Sequence, residues 1–326
     1  MILEYLLSGL VGGITIDILL GDPPNKYHPV AWLGKLIEFF IPRLKDSGNS
    51  SAKKEKLKGT IFATCLIVIF GLGIHFTVVT TLHLLGGLAM IIISTAILKV
   101  TIAIRGMEKH IDEIVYDLEA NNLKNARYRL SMIVRRDTNK LDEQHIISGM
   151  IECIGESTVD GIISSLFYYT FFGPAGTFVY RVINTLDSMI GYKDNYHKNI
   201  GWMSAKLDTV ANYIPARIAA ILIVISAKMI GADWKNSLHI LERDHDKTFS
   251  NNAGYPMATI AGALRIRLEK IGQYSLGDGW EPASIEKCRI AISIMKLTTI
   301  LFCIFLSTPL IVILYFISWW EILFGI

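Results

Sequence analysis

The chain is short of charge. Only 19% of its 326 residues are Asp, Glu, Lys or Arg, against about 25% in soluble globular domains. Its 32 Lys and Arg form no basic tail and no Arg-rich helix pattern, which excludes nucleic acid as a partner. Four cysteines, Cys65, Cys153, Cys288 and Cys303, make no C-x-x-C pair. That excludes a zinc site or a disulfide framework and predicts small buried hydrophobes. Neither G-x-x-x-x-G-K-[ST] nor G-x-G-x-x-G occurs, so any nucleotide site is not a standard P-loop or Rossmann one. The opening MILEYLLSGL lacks the basic n-region and small-residue cleavage site of a signal peptide. It predicts a retained first span.

Hydrophobic residues make up 52% of the chain, and its mean hydropathy is +0.42. These values predict an all-α, polytopic membrane protein, a single membrane-embedded domain over 1–326 with about 4–6 membrane segments joined by helical loops. The apolar segments are 1–20, 59–81, 85–104, 161–180, 212–231 and 297–319, each near the ~20 residues a spanning helix needs. Gly9 and Gly13 form a G-x-x-x-G pair that permits close helix approach. Leu84-Leu85-Gly86-Gly87 breaks the second tract into a helical hairpin. His75 and His83 read as packed or interfacial, with no carboxylate or second His at helical spacing. Gly161, Gly173, Pro174 and Gly176 predict a broken or re-entrant helix over 161–180. Trp319 and Trp320 close the last span as an aromatic anchor. DSGNSSAKKEK at 46–56 reads as an exposed loop.

Segments 21–58, 105–160 and 231–296 hold 25 of the 32 basic residues. The positive-inside rule places all three in the cytoplasm. If 161–180 and 212–231 each cross, residues 183–211 lie outside; if neither does, they join the cytoplasmic loops. The Gly/Pro interruptions favour the second arrangement, because irregular backbone at membrane depth is tolerated where it lines a protein cavity.

Polar residues at or near bilayer depth are costly and mark working sites. RVINTLDSMIGYK at 181–193 packs Arg181, Asn184, Thr185, Asp187, Ser188 and Lys193 between two apolar segments. Both charge signs suit a polar, phosphate-bearing ligand better than a lipid. Lys206, Asp208, Asn212 and Arg217 follow. DILLGDPPNKYHPV at 17–30 carries Asp17 inside an apolar run, then Asp22 and His28; it also reads as a Gly-Asp-Pro-Pro turn. RRDTNKLDE at 135–143 offers Arg135 and Arg136 as a bidentate clamp for phosphate or carboxylate; a surface ion-pair cluster has the same pattern. Glu152, Glu156 and Asp160 recur every four residues, stacking three carboxylates on one helix face. Like charges so spaced repel. Mg²⁺ would compensate them, since it bridges a few carboxylates to substrate phosphates; so would Arg135 or Arg136. RDHDKTFSNNAGYPMA at 243–258, with Asn252, leads into a helix whose backbone N–H groups can hold an anion.

In this order the clusters resemble the CobD/CbiB family of cobalamin biosynthesis, the adenosylcobinamide-phosphate synthases. The matching stretches are D-x-x-x-G-D-P-P…H-P-V at 17–30, RRDT…LDE at 135–143, IE-x-x-x-ES-x-x-DG at 151–161, and GPAG…YR-x-x-NTLDSMIGYK at 173–193. GW-x-x-A-x-x-D…N-x-x-PAR at 201–217 and NAG-x-P-x-A-x-x-AGAL-x-x-RL at 252–268 complete them. Two departures are NNAG, where the family more often has Ser-Pro-Asn-Ala-Gly, and Glu269-Lys270, where it tends to have glycine.

The resemblance implies a carbon–nitrogen ligase of the cell membrane, its active site facing the cytoplasm. Aminopropanol or its O-phosphate would be joined to a propionate carboxyl of adenosylcobyric acid with ATP and Mg²⁺; a homo-oligomer is compatible with this. Residue type then assigns roles. Arg135, Arg136 and Lys193 would hold phosphates, with Arg181, Asn184, Asp208, Arg217 and Asn252 as further substrate contacts. Glu152, Glu156, Asp160 and Asp187 would carry the metal. Asp187, Lys193, Glu156 and His28 are the catalytic candidates, a carboxylate or His28 taking the amine proton. A corrinoid or small-metabolite transporter and a non-catalytic membrane sensor are the competing expectations. Crowded polar motifs and no inverted repeat weigh against transport.

Overall fold

The computed structural model describes residues 2–45 and 51–325. Its helices are α1 (Ile2–Leu20), α2 (Pro29–Leu44), α3 (Ala52–Thr101), α4 (Ile104–Glu119), α5 (Leu123–Ser131), α6 (Glu143–Ser157), α7 (Ser164–Ile190), α8 (Trp202–Ala211) and α9 (Tyr213–Met229), then α10 (Trp234–Asp244), α11 (Gly254–Leu264), α12 (Ile285–Phe302), α13 (Thr308–Phe316) and α14 (Trp319–Phe324). Short π-helical turns occupy Thr158–Ile163 and Cys303–Ser307. Among the described residues, four stretches are long and apolar enough to cross a membrane: Ile2–Leu20, Ala52–Glu119, Glu143–Ile190 and Ile285–Phe316. Counting the pair Trp202–Ala211 and Tyr213–Met229, bent by 44°, as one span gives five. The protein is an all-α, multi-pass membrane protein. The exposed-loop reading of 46–56 does not hold beyond Ser51, which caps α3 by accepting a hydrogen bond from the Lys53 amide; residues 46–50 lie outside the described residues.

The chain divides into two compact units, residues 1–103, 164–211 and 306–326, and residues 104–163 and 212–305. In the first, α1 packs on the second arm of α3. The contact is close because Gly9 and Gly13 lack side chains: a Cβ on Gly9 would lie 2.6 Å from Ser94 Cβ, and one on Gly13 2.9 Å from the Leu98 side chain. Helix α3 breaks at Gly86, whose φ of 77° belongs to the left-handed region open to glycine. Its first arm leaves Ile69 and Phe76 more than 60% exposed, an apolar surface suited to lipid rather than water. Cys65 also lies on an exposed face, so burial accounts for Cys153 and Cys288 but not for it.

Helix α7 breaks at Gly173 (φ 62°), followed by Pro174, and the chain turns back on itself. Thr101 touches both arms: its carbonyl accepts from Ser165 Oγ at 2.8 Å, and its hydroxyl shares a 2.9 Å hydrogen bond with Thr177. The Tyr168 ring stacks on Tyr180 across the turn, centroids 5.3 Å apart. The helix is thus broken within 161–180, as the Gly/Pro interruptions predict. Its returning arm is two-faced. Phe178, Val182, Leu186 and Ile190, four residues apart, are buried with Leu33 and Ile37 of α2 and Ala63 and Leu66 of α3. The face between them carries Arg181, Asn184, Thr185 and Ser188.

Trp320 is not an interfacial anchor. It is fully buried, its indole N–H donating to the Ile311 carbonyl at 3.1 Å, while Trp319 donates to Phe171 O at 2.7 Å. A left-handed Ser318 turns the chain after α13 so that both indoles cap backbone carbonyls.

In the second unit α6, α9, α11 and α12 pack together. An antiparallel hairpin of β1 (Leu268–Lys270) and β2 (Tyr274–Leu276) adds to the helical fold. Gly272, with φ 73°, sits in its three-residue turn.

Candidate functional site

In the first unit, three helix ends bring charge together. Lys99, near the end of α3, places its Nζ 3.2 Å from Asp17 Oδ1 and 2.7 Å from Asp22 Oδ1. Asp17 is fully buried, so this lysine neutralises a carboxylate that would otherwise be prohibitive there. His28 Nε2 lies 3.6 Å from the same Asp22 oxygen. Burial pushes the Asp22 carboxyl up, but hydrogen bonds from His28 and Lys99 outweigh it and hold the group below its ordinary range. His28 Nδ1 accepts the Val30 amide and caps α2; its unprotonated nitrogen is thereby occupied. Lys99 was not singled out from sequence. A lysine inside an apolar run was the available signal.

On the returning arm of α7, Arg181 Nη1 donates to Asn184 Oδ1 (3.3 Å), and Asn184 Nδ2 to Asp208 Oδ1 of α8 (3.4 Å). Thr185 spends its hydroxyl on the Arg181 carbonyl. Asp187 lies against the helix end, where Gly191 leaves room: a Cβ there would sit 1.9 Å from Asp187 Oδ1. The following loop is clamped to α3. Glu55 accepts from Asn199 Nδ2 at 2.8 Å, and Gly59 lets the Ile200 carbonyl reach where its Cβ would be. Lys193 is exposed on this loop. Arg181, Asn184 and Asp208 are thus joined, with Asp187 on the same arm.

In the second unit Arg136 and Glu152 form an ion pair. Arg136 Nη2 bonds Glu152 Oε2, which also accepts from Tyr274 OH at 2.7 Å, while Ser148 Oγ donates to Oε1 at 3.2 Å. Arg136 Nη1 holds the Glu269 carbonyl at 3.1 Å. Glu152 is 3% exposed, and both of its oxygens are engaged by protein donors. Glu156 follows one turn later, with Arg135, Lys270 and Arg136 as the cations acting on it. Asp160 falls in the π turn. Asp160 thus lies in a different helical geometry from Glu152 and Glu156, which are on α6.

Arg217 is held between the rings of Tyr213 and Tyr255, 3.4 and 4.3 Å from their centroids. Its Nη1 reaches Asn252 Oδ1 at 3.4 Å. These two predicted contacts therefore meet. At the start of α11, Ser250 Oγ takes the amides of Asn252 and Ala253 (3.3 and 3.2 Å), which satisfies donors that an anion would otherwise use.

Among the described residues no three His, Cys, Asp or Glu side chains are grouped to hold a metal ion. Glu152 is committed to Arg136, Tyr274 and Ser148. The residues do not fit a dedicated protein cage. They fit a Mg²⁺ arriving on a nucleotide's phosphates, which needs one or two protein carboxylates. Glu156 or Asp160 in one unit, or Asp187 in the other, is of the right chemistry.

The family model described as "CobD/Cbib protein" matches residues 10–303. The chain is 38% identical over 307 residues to a "Probable cobalamin biosynthesis protein CobD" of Methanothermobacter thermautotrophicus, covering 94% of this chain and 99% of the relative. It is 38% identical over 305 residues to the "Cobalamin biosynthesis protein CobD" of Leptospira interrogans serogroup Icterohaemorrhagiae serovar copenhageni (91% and 95% covered). To the protein of that name in Dehalococcoides mccartyi it is 36% identical over 281 residues (86% and 89%). No solved structure matches.

Proposed function

The chain belongs to the CobD/CbiB family, and from that premise we propose that it works in cobalamin biosynthesis as a membrane-embedded, ATP-dependent amide ligase. Its substrates are adenosylcobyric acid and aminopropanol or aminopropanol phosphate; its product is adenosylcobinamide or its phosphate. The observation that carries the reading is the Arg181–Asn184–Asp208 chain on the arm of α7 that follows its break at Gly173. A protein that needed only to span a bilayer would not retain it.

A carboxylate and an amine do not condense unaided in water. Transfer of the ATP γ-phosphoryl group to the propionate gives an acyl phosphate; the amine attacks its carbonyl carbon, the C–O bond to phosphate breaks, and inorganic phosphate leaves with the amine proton lost to a base. Such chemistry rests on positioning and charge neutralisation. Arg181 and Lys193 would supply the cationic contacts to phosphate, with Arg135 of the other unit as a separate candidate. Arg136 is already spent on neutralising Glu152. Bound Mg²⁺ would supply charge neutralisation on the nucleotide. Asp187 would accept the amine proton, with Glu156 as the alternative, and His28, whose Nδ1 caps α2, would position Asp22. The active site faces the cytoplasm, where ATP is available.

Purified protein in detergent, given ATP, Mg²⁺, the corrinoid acid and the amine, should form the amide, followed by mass spectrometry. ATP should be consumed only with both other substrates present. No amide under those conditions rejects the proposal.

A further inference from the structure

In the first unit the starts of α3 and α8 bring lysines and a tryptophan to the end of an apolar helix face. Helix α3 opens with Lys53, Lys54 and Lys56. Its one acid, Glu55, is buried and engaged by Lys45 at 3.1 Å and Asn199 at 2.8 Å. One turn on, Gly59 lets the Ile200 carbonyl reach the helix. Trp202, two residues after that carbonyl, begins α8, so its indole lies beside the turn that carries Lys56. The Lys56 ammonium sits 5.4 Å from the ring centroid, and Lys206, one turn along α8, sits 4.5 Å from it. Both are within cation–π range, about 6 Å.

Among the described residues no carboxylate lies within 4.0 Å of the Lys53, Lys54, Lys56 or Lys206 ammonium. Two ammoniums gathered on one ring repel each other, and an anion between them relieves that repulsion. The indole adds a donor. Trp319 and Trp320 give their N–H groups to backbone carbonyls; among the described residues the Trp202 N–H has no acceptor. Beyond this corner the helix face is apolar. Leu57, Ile61, Val68, Leu72 and Phe76 are each between 48% and 62% exposed, and at 3.6 residues per turn they fall within an arc of about 100°. From Leu57 to Phe76 the stripe runs about 28 Å at ~1.5 Å per residue, close to the ~30 Å of a hydrocarbon core. Lipid tails therefore cover it. Lys56 and Trp202, at its Leu57 end, stand at headgroup depth, where tryptophan concentrates.

We propose that this corner binds an anionic phospholipid. Its headgroup phosphate lies between Lys56 and Lys206, the Trp202 N–H donates to a lipid oxygen, and an acyl chain lies along Leu57 and Ile61. Charge complementarity sets the class of lipid. A phosphatidylcholine carries its own cation beside the phosphate and gains less from the lysines than a lipid with net negative charge. Each lysine at an anionic membrane surface is worth about fivefold in affinity, and Lys53 and Lys54, one turn earlier on α3, extend the positive field over the headgroup. None of these residues takes part in the proposed ligation, so the site stands whether or not the ligase reading does.

The test is native mass spectrometry of the purified full chain, in detergent with equal amounts of phosphatidylglycerol and phosphatidylcholine of identical acyl chains. Phosphatidylglycerol should be retained in preference by about tenfold or more. Lys56→Gln with Lys206→Gln should cut that preference at least fivefold, roughly the share of one lysine; Lys56→Arg with Lys206→Arg should keep it. Lys124→Gln with Lys140→Gln removes the same charge from exposed positions of the second unit and should leave it unchanged. Thermal unfolding gives a second reading: phosphatidylglycerol should raise the unfolding temperature of the wild type more than phosphatidylcholine does, and this difference should shrink in the Lys56→Gln, Lys206→Gln protein. Equal retention of the two lipids by the wild type overturns the proposal. So does an equal loss in both glutamine pairs, which marks a response to net charge alone. Displacement of phosphatidylglycerol by inorganic phosphate also overturns it, since the corner would then be an anion site without a lipid.

Discussion

Removing Arg136 should damage the protein more than removing any exposed arginine, and by an amount the structure bounds. Arg136 and Glu152 side chains are 11% and 3% exposed. In Arg136→Met the Glu152 carboxylate keeps Tyr274 and Ser148 but loses its countercharge, and breaking a buried pair from one side costs about 3–5 kcal/mol. Glu152→Gln strands the guanidinium instead, at a cost of about 1.5–3 kcal/mol for the weakened charged hydrogen bonds. Because the two losses are one interaction, the double variant should be less damaged than the sum, with a coupling of about 1–3 kcal/mol. Thermal unfolding of all four proteins in one detergent measures it. The same proteins decide what Glu152 is for. A carboxylate held by three protein donors is structural, so Glu152→Gln should leave the Mg²⁺ dependence of turnover unmoved. Additive destabilisation within about 0.5 kcal/mol, or a Glu152→Gln protein of normal stability with a shifted Mg²⁺ requirement, would refute the reasoning.

Gly191→Ala would place a Cβ 1.9 Å from Asp187 Oδ1 and 2.7 Å from the Asp187 carbonyl oxygen; displacing that carboxylate by about 1 Å should lower kcat roughly 100-fold, and the backbone clash should lower the unfolding temperature as well. Asp22 and Asp244 are both held below the ordinary carboxylate range, Asp244 because bonds from Arg243, Lys247 and the Gly277 amide overcome its burial. A carboxylate depressed in the folded state stabilises at pH above its unfolded value, about 3.9, and that contribution is lost as pH falls through the folded one. Asp244→Asn should therefore lower stability at neutral pH and flatten the acid limb, read by unfolding at pH 7 and below 4. A cysteine placed at exposed Asn195, in a chain without its four native cysteines, should react with an impermeant reagent only from the cytoplasmic side; labelling from outside removes the cytoplasmic site.

The helical breaks were legible before the structure because glycine carries its own reason. Gly86 and Gly173 adopt φ values of 77° and 62°, and each stands in an apolar run too long or too interrupted for one straight helix. The Gly9–Gly13 contact was legible for the same reason: small residues announce close packing. The Trp319–Trp320 ending misled because indoles at the edge of an apolar segment look alike whether they meet headgroups or a backbone carbonyl. The turn at Ser318 that buries Trp320 has no glycine to mark it. Spacing did not announce the π turn at Thr158–Ile163 either, since it leaves no trace in a count of fours.

The polar residues show why candidate sites are easier to find than to assign. Sequence picks out a costly group; it does not show whether the cost has been met. Asp17 and Glu152 looked equally poised for chemistry, yet Lys99 answers the first and Arg136, Ser148 and Tyr274 the second. Tyr274 is 122 positions from Glu152, beyond any local pattern. On sequence Arg267 closed a motif and Glu269 stood where the family tends to have glycine; only the strand sets both beside one cavity. A buried charge with its partners in place stabilises the fold and resists a second ligand, because binding must first break what is there. Lys56 and Lys206, with no carboxylate within 4.0 Å among the described residues, have their interaction still to make, which is what a ligand requires of a site.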